Sequence, residues 1–148
     1  MEKQRCSWAK GNATLVHYHD REWGTPNRDS RDLWEALVLD GFQAGLAWRT
    51  ILFKRETFRA AFKGFDPETV ARFDESDVER LMKDNGIVRS HAKVRAAISN
   101  ARAYLDLKSR GEDFSTLVWA VLGGKPIQAD YSVSKTTESE LITKALKA

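Results

Sequence analysis

Apolar residues recur at helical spacing almost throughout this chain, and that period predicts an all-α fold. Leu33, Trp34, Leu37 and Val38 share one face of a helix that Asp29 or Ser30 can cap. Asp40-Gly41 interrupts the pattern and predicts a turn or kink. A second helix over about 48–62 would bury Ile51, Leu52, Phe58 and Phe62. Asp66-Pro67-Glu68 joins a capping carboxylate to a proline at the first helical position and marks another start. Asp74 to Asp77 opens a helix with Val78, Leu81 and Met82 inward. A long helix over about 90–110 stops at Gly111, and a shorter one over 114–122 ends at Gly123-Gly124. No stretch shows the alternation of a strand hairpin.

Residues 126–134 read as a loop. Thr137 and Glu140 then have the spacing of a capping box, ahead of Leu141, Ile142, Ala145 and Leu146. That last helix has a start signal but no glycine or proline stop before Ala148. The expectation is a chain cut short at its C-terminus.

At 148 residues the chain reads as a single domain, 1–148, with room for a core. Its 42% hydrophobic and 30% charged residues are those of an ordinary soluble protein. No apolar run reaches the length of a membrane span, and the first residues lack a signal peptide's apolar stretch. A single cysteine excludes an internal disulfide and suits a reducing, cytoplasmic setting. The net charge of +3 permits contact with nucleic acid without requiring it.

The chemistry concentrates near the N-terminus. Tyr18-His19-Asp20-Arg21-Glu22-Trp23-Gly24 is followed by Asp40-Gly41-Phe42-Gln43-Ala44-Gly45-Leu46-Ala47-Trp48, and Cys6-Ser7-Trp8 precedes both. Aromatic faces, a carboxylate and glycines suit a site for a flat, cationic heterocycle. Trp34 and Trp119 lie on helical faces and are assigned to the core. Trp8, Tyr18, Trp23 and Trp48 sit beside glycines or polar residues, where rings line pockets, although core packing is the plainer role for any of them.

These words resemble the bacterial DNA-3-methyladenine glycosylase I family, from about Arg5 to the last residue. The resemblance implies a helix-hairpin-helix DNA glycosylase-like helical domain, with its C-terminal part missing. It also implies base excision from alkylated double-stranded DNA by a monomer with no membrane association. Trp8, Tyr18, Trp23 and Trp48 match the family's base-binding aromatics. Asp40 matches a glutamate that contacts the flipped base and is the catalytic candidate. Aspartate is one methylene shorter, so the base sits deeper or a water bridges. The plainer reading makes Asp40 a turn residue before Gly41.

The implied reaction flips the nucleotide out of the duplex, and water displaces the base without any cofactor. N3 alkylation already makes adenine a good leaving group. No lysine adjoins the pocket words, which argues against a Schiff-base lyase, and Lys54 is expected to face solvent. In the family, a cysteine and a histidine matching Cys6 and His19 join a later histidine and cysteine to hold a structural zinc. Neither later ligand exists here, so Cys6 and His19 form an incomplete half-site. His17 would be aimed elsewhere.

Residues 75–110 resemble the helix-hairpin-helix by which repair glycosylases hold DNA, with Gly86 in the turn and Ser90 as cap. Gly86, Arg89, Ser90, Lys93 and Arg95 are the DNA-binding candidates, the cations neutralising phosphates near a helix N-terminus. Between Gly86 and Arg110 six basic residues stand against one acidic residue. A plain αα-hairpin with a solvated basic face is the alternative. Two further readings of the whole chain stay open: a non-catalytic truncated DNA-binding relative, and an inactive all-α structural protein.

Overall fold

The structure is a computed structural model that describes residues 3–128 and 134–147. Those residues form helices and loops with no strand. The helices are α1 (Ala13–Arg21), α2 (Ser30–Gln43), α3 (Trp48–Ala61), α4 (Pro67–Ala71), α5 (Glu75–Met82), α6 (His91–Ser109), α7 (Phe114–Val121) and α8 (Thr137–Lys147).

Capping chemistry sets most of the starts. Asp29, Asp66, Asp113 and Ser90 each accept from a backbone amide of the turn that they open. Asp74 and Asp77 complete a reciprocal capping box at α5. The last helix differs from expectation. Its box joins Thr136 to Ser139, whose side chains each accept the other's backbone N–H, instead of joining Thr137 to Glu140. The loop expected over 126–134 falls partly on residues outside those described.

Helix α1 lies outside the elements that the sequence predicts; it is short and polar, with Leu15 as its buried residue. Its one local signal is Asn12, whose side chain accepts from the amides of Thr14 and Leu15. A second difference lies at Asp40-Gly41, where α2 continues unbroken to Gln43. Phe42 is 1% exposed and packs against Phe58 and Phe62, so burial of the last turn outweighs the glycine's preference for a break.

One apolar cluster runs from Trp34 and Phe42 through Phe58, Phe62 and Phe65 to Val94, Ala97 and Phe114. It holds α2, α3 and α6 as a frame for the N-terminal residues. Trp34 is in this core as expected. Trp119 is not: its indole N–H donates to the Asn27 carbonyl at 2.8 Å, under the Arg28 guanidinium. It pins the loop before α2 to the surface of α7. Lys54 also departs from expectation, since its ammonium donates to the Asn85 carbonyl at 3.0 Å and holds the hairpin turn.

Candidate active site

Trp8, Tyr18, Trp23, Asp40 and Trp48 line one cleft of about 560 Å³, together with Leu15, Gln43 and Arg49. Four segments build it. A 3-10 turn over Ser7–Ala9 carries Trp8 and is anchored by the fully buried Ala9. Helix α1 presents Tyr18, and the turn after it presents Trp23. The last turn of α2 carries Asp40, and Trp48 is the first residue of α3.

The rings form a continuous wall. Trp8 meets Trp23 edge-on at 5.4 Å and Tyr18 at 6.3 Å, while Tyr18 lies 6.0 Å from Trp48. Trp8 stays 42% exposed, so its face is open to a ligand. Burial pushes the Tyr18 phenol upward in pKa, opposed by the Trp48 side chain and supported by the charges of Glu22 and Asp40. Tyr18 is therefore a neutral hydroxyl over the physiological range. The buried Trp48 indole N–H makes no hydrogen bond among the described residues.

Asp40 keeps solvent access through the open mouth of the cleft, yet the surrounding protein removes enough water to push its pKa up. It also stands at the C-terminal end of α2, where the helix dipole disfavours a negative charge. A carboxylate placed this way is undersatisfied and attracts a cation.

Behind Tyr18 and Trp48 lies a pair that sequence reasoning missed. Arg55 of α3 donates from both terminal nitrogens to Glu22 after α1. Glu22 and Arg55 are far apart in the chain, and only the fold brings them together.

Cys6 and His19 do meet. The Cys6 amide donates to His19 Nε2 at 3.4 Å, so the ring proton sits on Nδ1 and donates to Asp20 at 3.0 Å. Arg5 clamps the same carboxylate. Its hydrogen bonds, then those of His19, hold Asp20 well below the usual carboxylate range. The imidazole stacks on Trp23 at 5.3 Å and meets Trp8 at the same distance. Among the described residues no group of three or more His, Cys, Asp or Glu side chains converges to hold a metal. The Nε2 lone pair that a metal would take already accepts a hydrogen bond. The residues present do not fit a closed zinc site. His17 is 70% exposed, turned away from His19 by the helical period.

The hairpin residues divide. Arg89 is exposed and makes no hydrogen bond or ion pair among the described residues. Arg95 is paired with Glu75 at 2.6 and 3.1 Å, and the Lys93 ammonium donates to the Phe42 and Ala44 carbonyls. Ser90 caps α6 through the Lys93 amide. Gly86 gives its amide to Asp84 and accepts from the Thr57 hydroxyl. A Cβ on Gly86 would come within 2.8 Å of Thr57, so this glycine is there for close packing on α3. The hairpin thus sits firmly on α3, and Arg89 is the unengaged cation among the candidates.

Known proteins share this fold. The methyladenine glycosylase family model matches residues 8–148. The chain is 44% identical to DNA-3-methyladenine glycosylase 1 of Escherichia coli (strain K12), over 97% of this chain and 80% of that protein. It is 43% identical to DNA-3-methyladenine glycosylase of Haemophilus influenzae, over the same shares of 97% and 80%. A crystal structure of 3-methyladenine DNA glycosylase I superposes with a TM-score of 0.92 at 46% identity, covering 97% of this chain and 82% of that one. The Staphylococcus aureus enzyme, studied for its recognition of 3-methyladenine, gives 0.88 at 33% identity over 96% and 78%. The chain belongs to the methyladenine glycosylase family.

Proposed function

We propose that this protein is a monofunctional DNA glycosylase that hydrolyses the N-glycosidic bond of 3-methyladenine in alkylated double-stranded DNA. The observation that carries the reading is the single cleft in which Trp8, Tyr18, Trp23 and Trp48 surround Asp40. Relatives at 43–44% identity bear this activity in their names.

A methylated adenine still attached to its sugar carries a positive charge. Stacking on indole and phenol faces favours that cation by about 0.5–2 kcal/mol per contact over a neutral base. The Asp40 carboxylate accepts from the exocyclic amine edge and opposes the same charge. Normal adenine keeps the amine contact but gains neither charge-dependent contribution, so the site selects damage by electrostatics.

The C1′–N9 bond breaks, its electron pair passes to the base, and the base leaves neutral. Water adds to C1′ and its proton goes to solvent or to Asp40. The leaving group is already activated, so selective binding in a dehydrated cleft carries most of the rate. No cofactor enters this chemistry.

Arg89, with the amides at the start of α6, meets DNA phosphates, and the protein acts as a monomer on DNA in the cytoplasm. Release of free 3-methyladenine from methylated duplex DNA, wild type against Asp40→Asn, tests the reading. Wild-type protein that releases no base would overturn it.

A further inference from the structure

The C-terminus of α2 has an unusual cap. Ala44 follows the helix in place of a glycine, with φ −48° and ψ 120°, and its amide reaches back to Gly41 at 3.4 Å. The helix's orphan carbonyls need another donor. Lys93 supplies it from the first turn of α6: its ammonium donates to the Phe42 carbonyl at 3.0 Å and to the Ala44 carbonyl at 2.7 Å. These partners lie 51 and 49 residues away in sequence. A cation at a helix C-terminus also offsets the negative end of the dipole.

The place matters. Asp40 stands two residues before the first clamped carbonyl and Trp48 four residues after the second, and both line the base cleft. Helix α6 is the second helix of the hairpin, and Arg89 lies immediately ahead of it. One side chain therefore links the hairpin to the segment that joins Asp40 to Trp48. If Lys93 swung out to a phosphate, two carbonyls would lose their donor, one belonging to the buried Phe42.

We propose that Lys93 is a positioning residue that couples the hairpin helix to the base cleft by clamping the Phe42 and Ala44 carbonyls, and that it makes no phosphate contact. This rests on the glycosylase reading for its effect on catalysis, but the clamp itself can be tested without it.

Three readouts on the 148-residue chain decide the matter, using Lys93→Met, which keeps the length and removes the charge, and Lys93→Arg. These are the salt dependence of binding to undamaged duplex DNA, amide exchange over residues 44–48 without DNA, and kcat and KM for base release. Lys93→Met should leave the salt slope unchanged and speed exchange over 44–48 by about tenfold or more. It should lower kcat about tenfold with KM little changed, because the duplex contacts stay intact while Asp40 and Trp48 lose register. Lys93→Arg should restore most of both losses. Should Lys93→Met not fold, Lys93→Gln replaces it with two neutral donors.

A salt slope flatter by about one unit in Lys93→Met would make Lys93 a phosphate contact and overturn the proposal. Unchanged exchange over 44–48 would overturn it equally. A wild type without base release would remove the glycosylase reading alone, and slope and exchange would still decide the clamp.

Discussion

Arg55 grips Glu22 at two points, 2.6 and 2.8 Å, and so fastens the end of α1 to the middle of α3. The pair lines a second cavity of about 380 Å³ that shares Tyr18, Asp40 and Trp48 with the base cleft. Two walls of the cleft thus hang on one partly buried ion pair.

Glu22→Gln should destabilise the fold by about 1–2 kcal/mol, because Arg55 keeps its burial and loses its charged partner. Arg55 holds the Glu22 carboxyl below its usual range, by hydrogen bonding first. A depressed folded pKa contributes stability above the ordinary glutamate range, and that stability is lost as pH falls through the depressed value. Urea titrations at neutral and acid pH check both points. The two proteins should differ at neutral pH and converge in acid.

Asp40→Asn should cut base release at least tenfold while leaving the fold intact, since it removes charge and keeps shape. Stability at neutral pH should stay equal or rise by a few tenths of a kcal/mol, because the lost carboxylate was desolvated but still open to solvent. Burial raises the Asp40 pKa, and in the proposed reaction the carboxylate is the form that acts. The acid limb of the rate profile should therefore lie above the usual aspartate range and vanish in Asp40→Asn. Equal rates for the two proteins would remove Asp40 from the chemistry.

Duplex affinity should depend on salt chiefly through Arg89 and the open end of α6. Arg89→Ala should flatten the plot of log K against log salt by about 0.9 for one lost phosphate contact. Arg95→Ala should change it less, because Arg95 is engaged with Glu75. Equal slopes for Arg89→Ala and wild type would move the phosphate site elsewhere.

The 148-residue chain should hold far less than one zinc after dialysis against a mild chelator, since Cys6 and His19 do not close a tetrahedral site. The N-terminal segment is tied instead by Arg5, Asp20 and His19. Asp20→Asn should speed proteolysis ahead of α1 and change Trp8 fluorescence. One tightly bound zinc per chain would show that other residues complete the site.

Read as a string, the chain already declares its helices wherever the signal is local. Asp66-Pro67, Asp74 with Asp77, and Ser90 satisfy amides a few residues away, and such caps need no tertiary partner. The aromatic and carboxylate residues were legible as types that would suit a cationic base, and the fold sets them around one cleft. Where neighbours in space decide, local reading failed. Gly41 stays helical because Phe42 is buried, and Trp119 serves the surface because Asn27 and Arg28 come to it. The lysines make the point most directly. Lys54 and Lys93 look like solvated cations, yet each ends on backbone carbonyls 31 to 51 residues away. The sequence alone determined which turns could start a helix and which chemistry was on hand. Which charges remain free for DNA was decided by tertiary packing, because a long flexible side chain bonds to whatever unsatisfied carbonyl the fold sets within its reach.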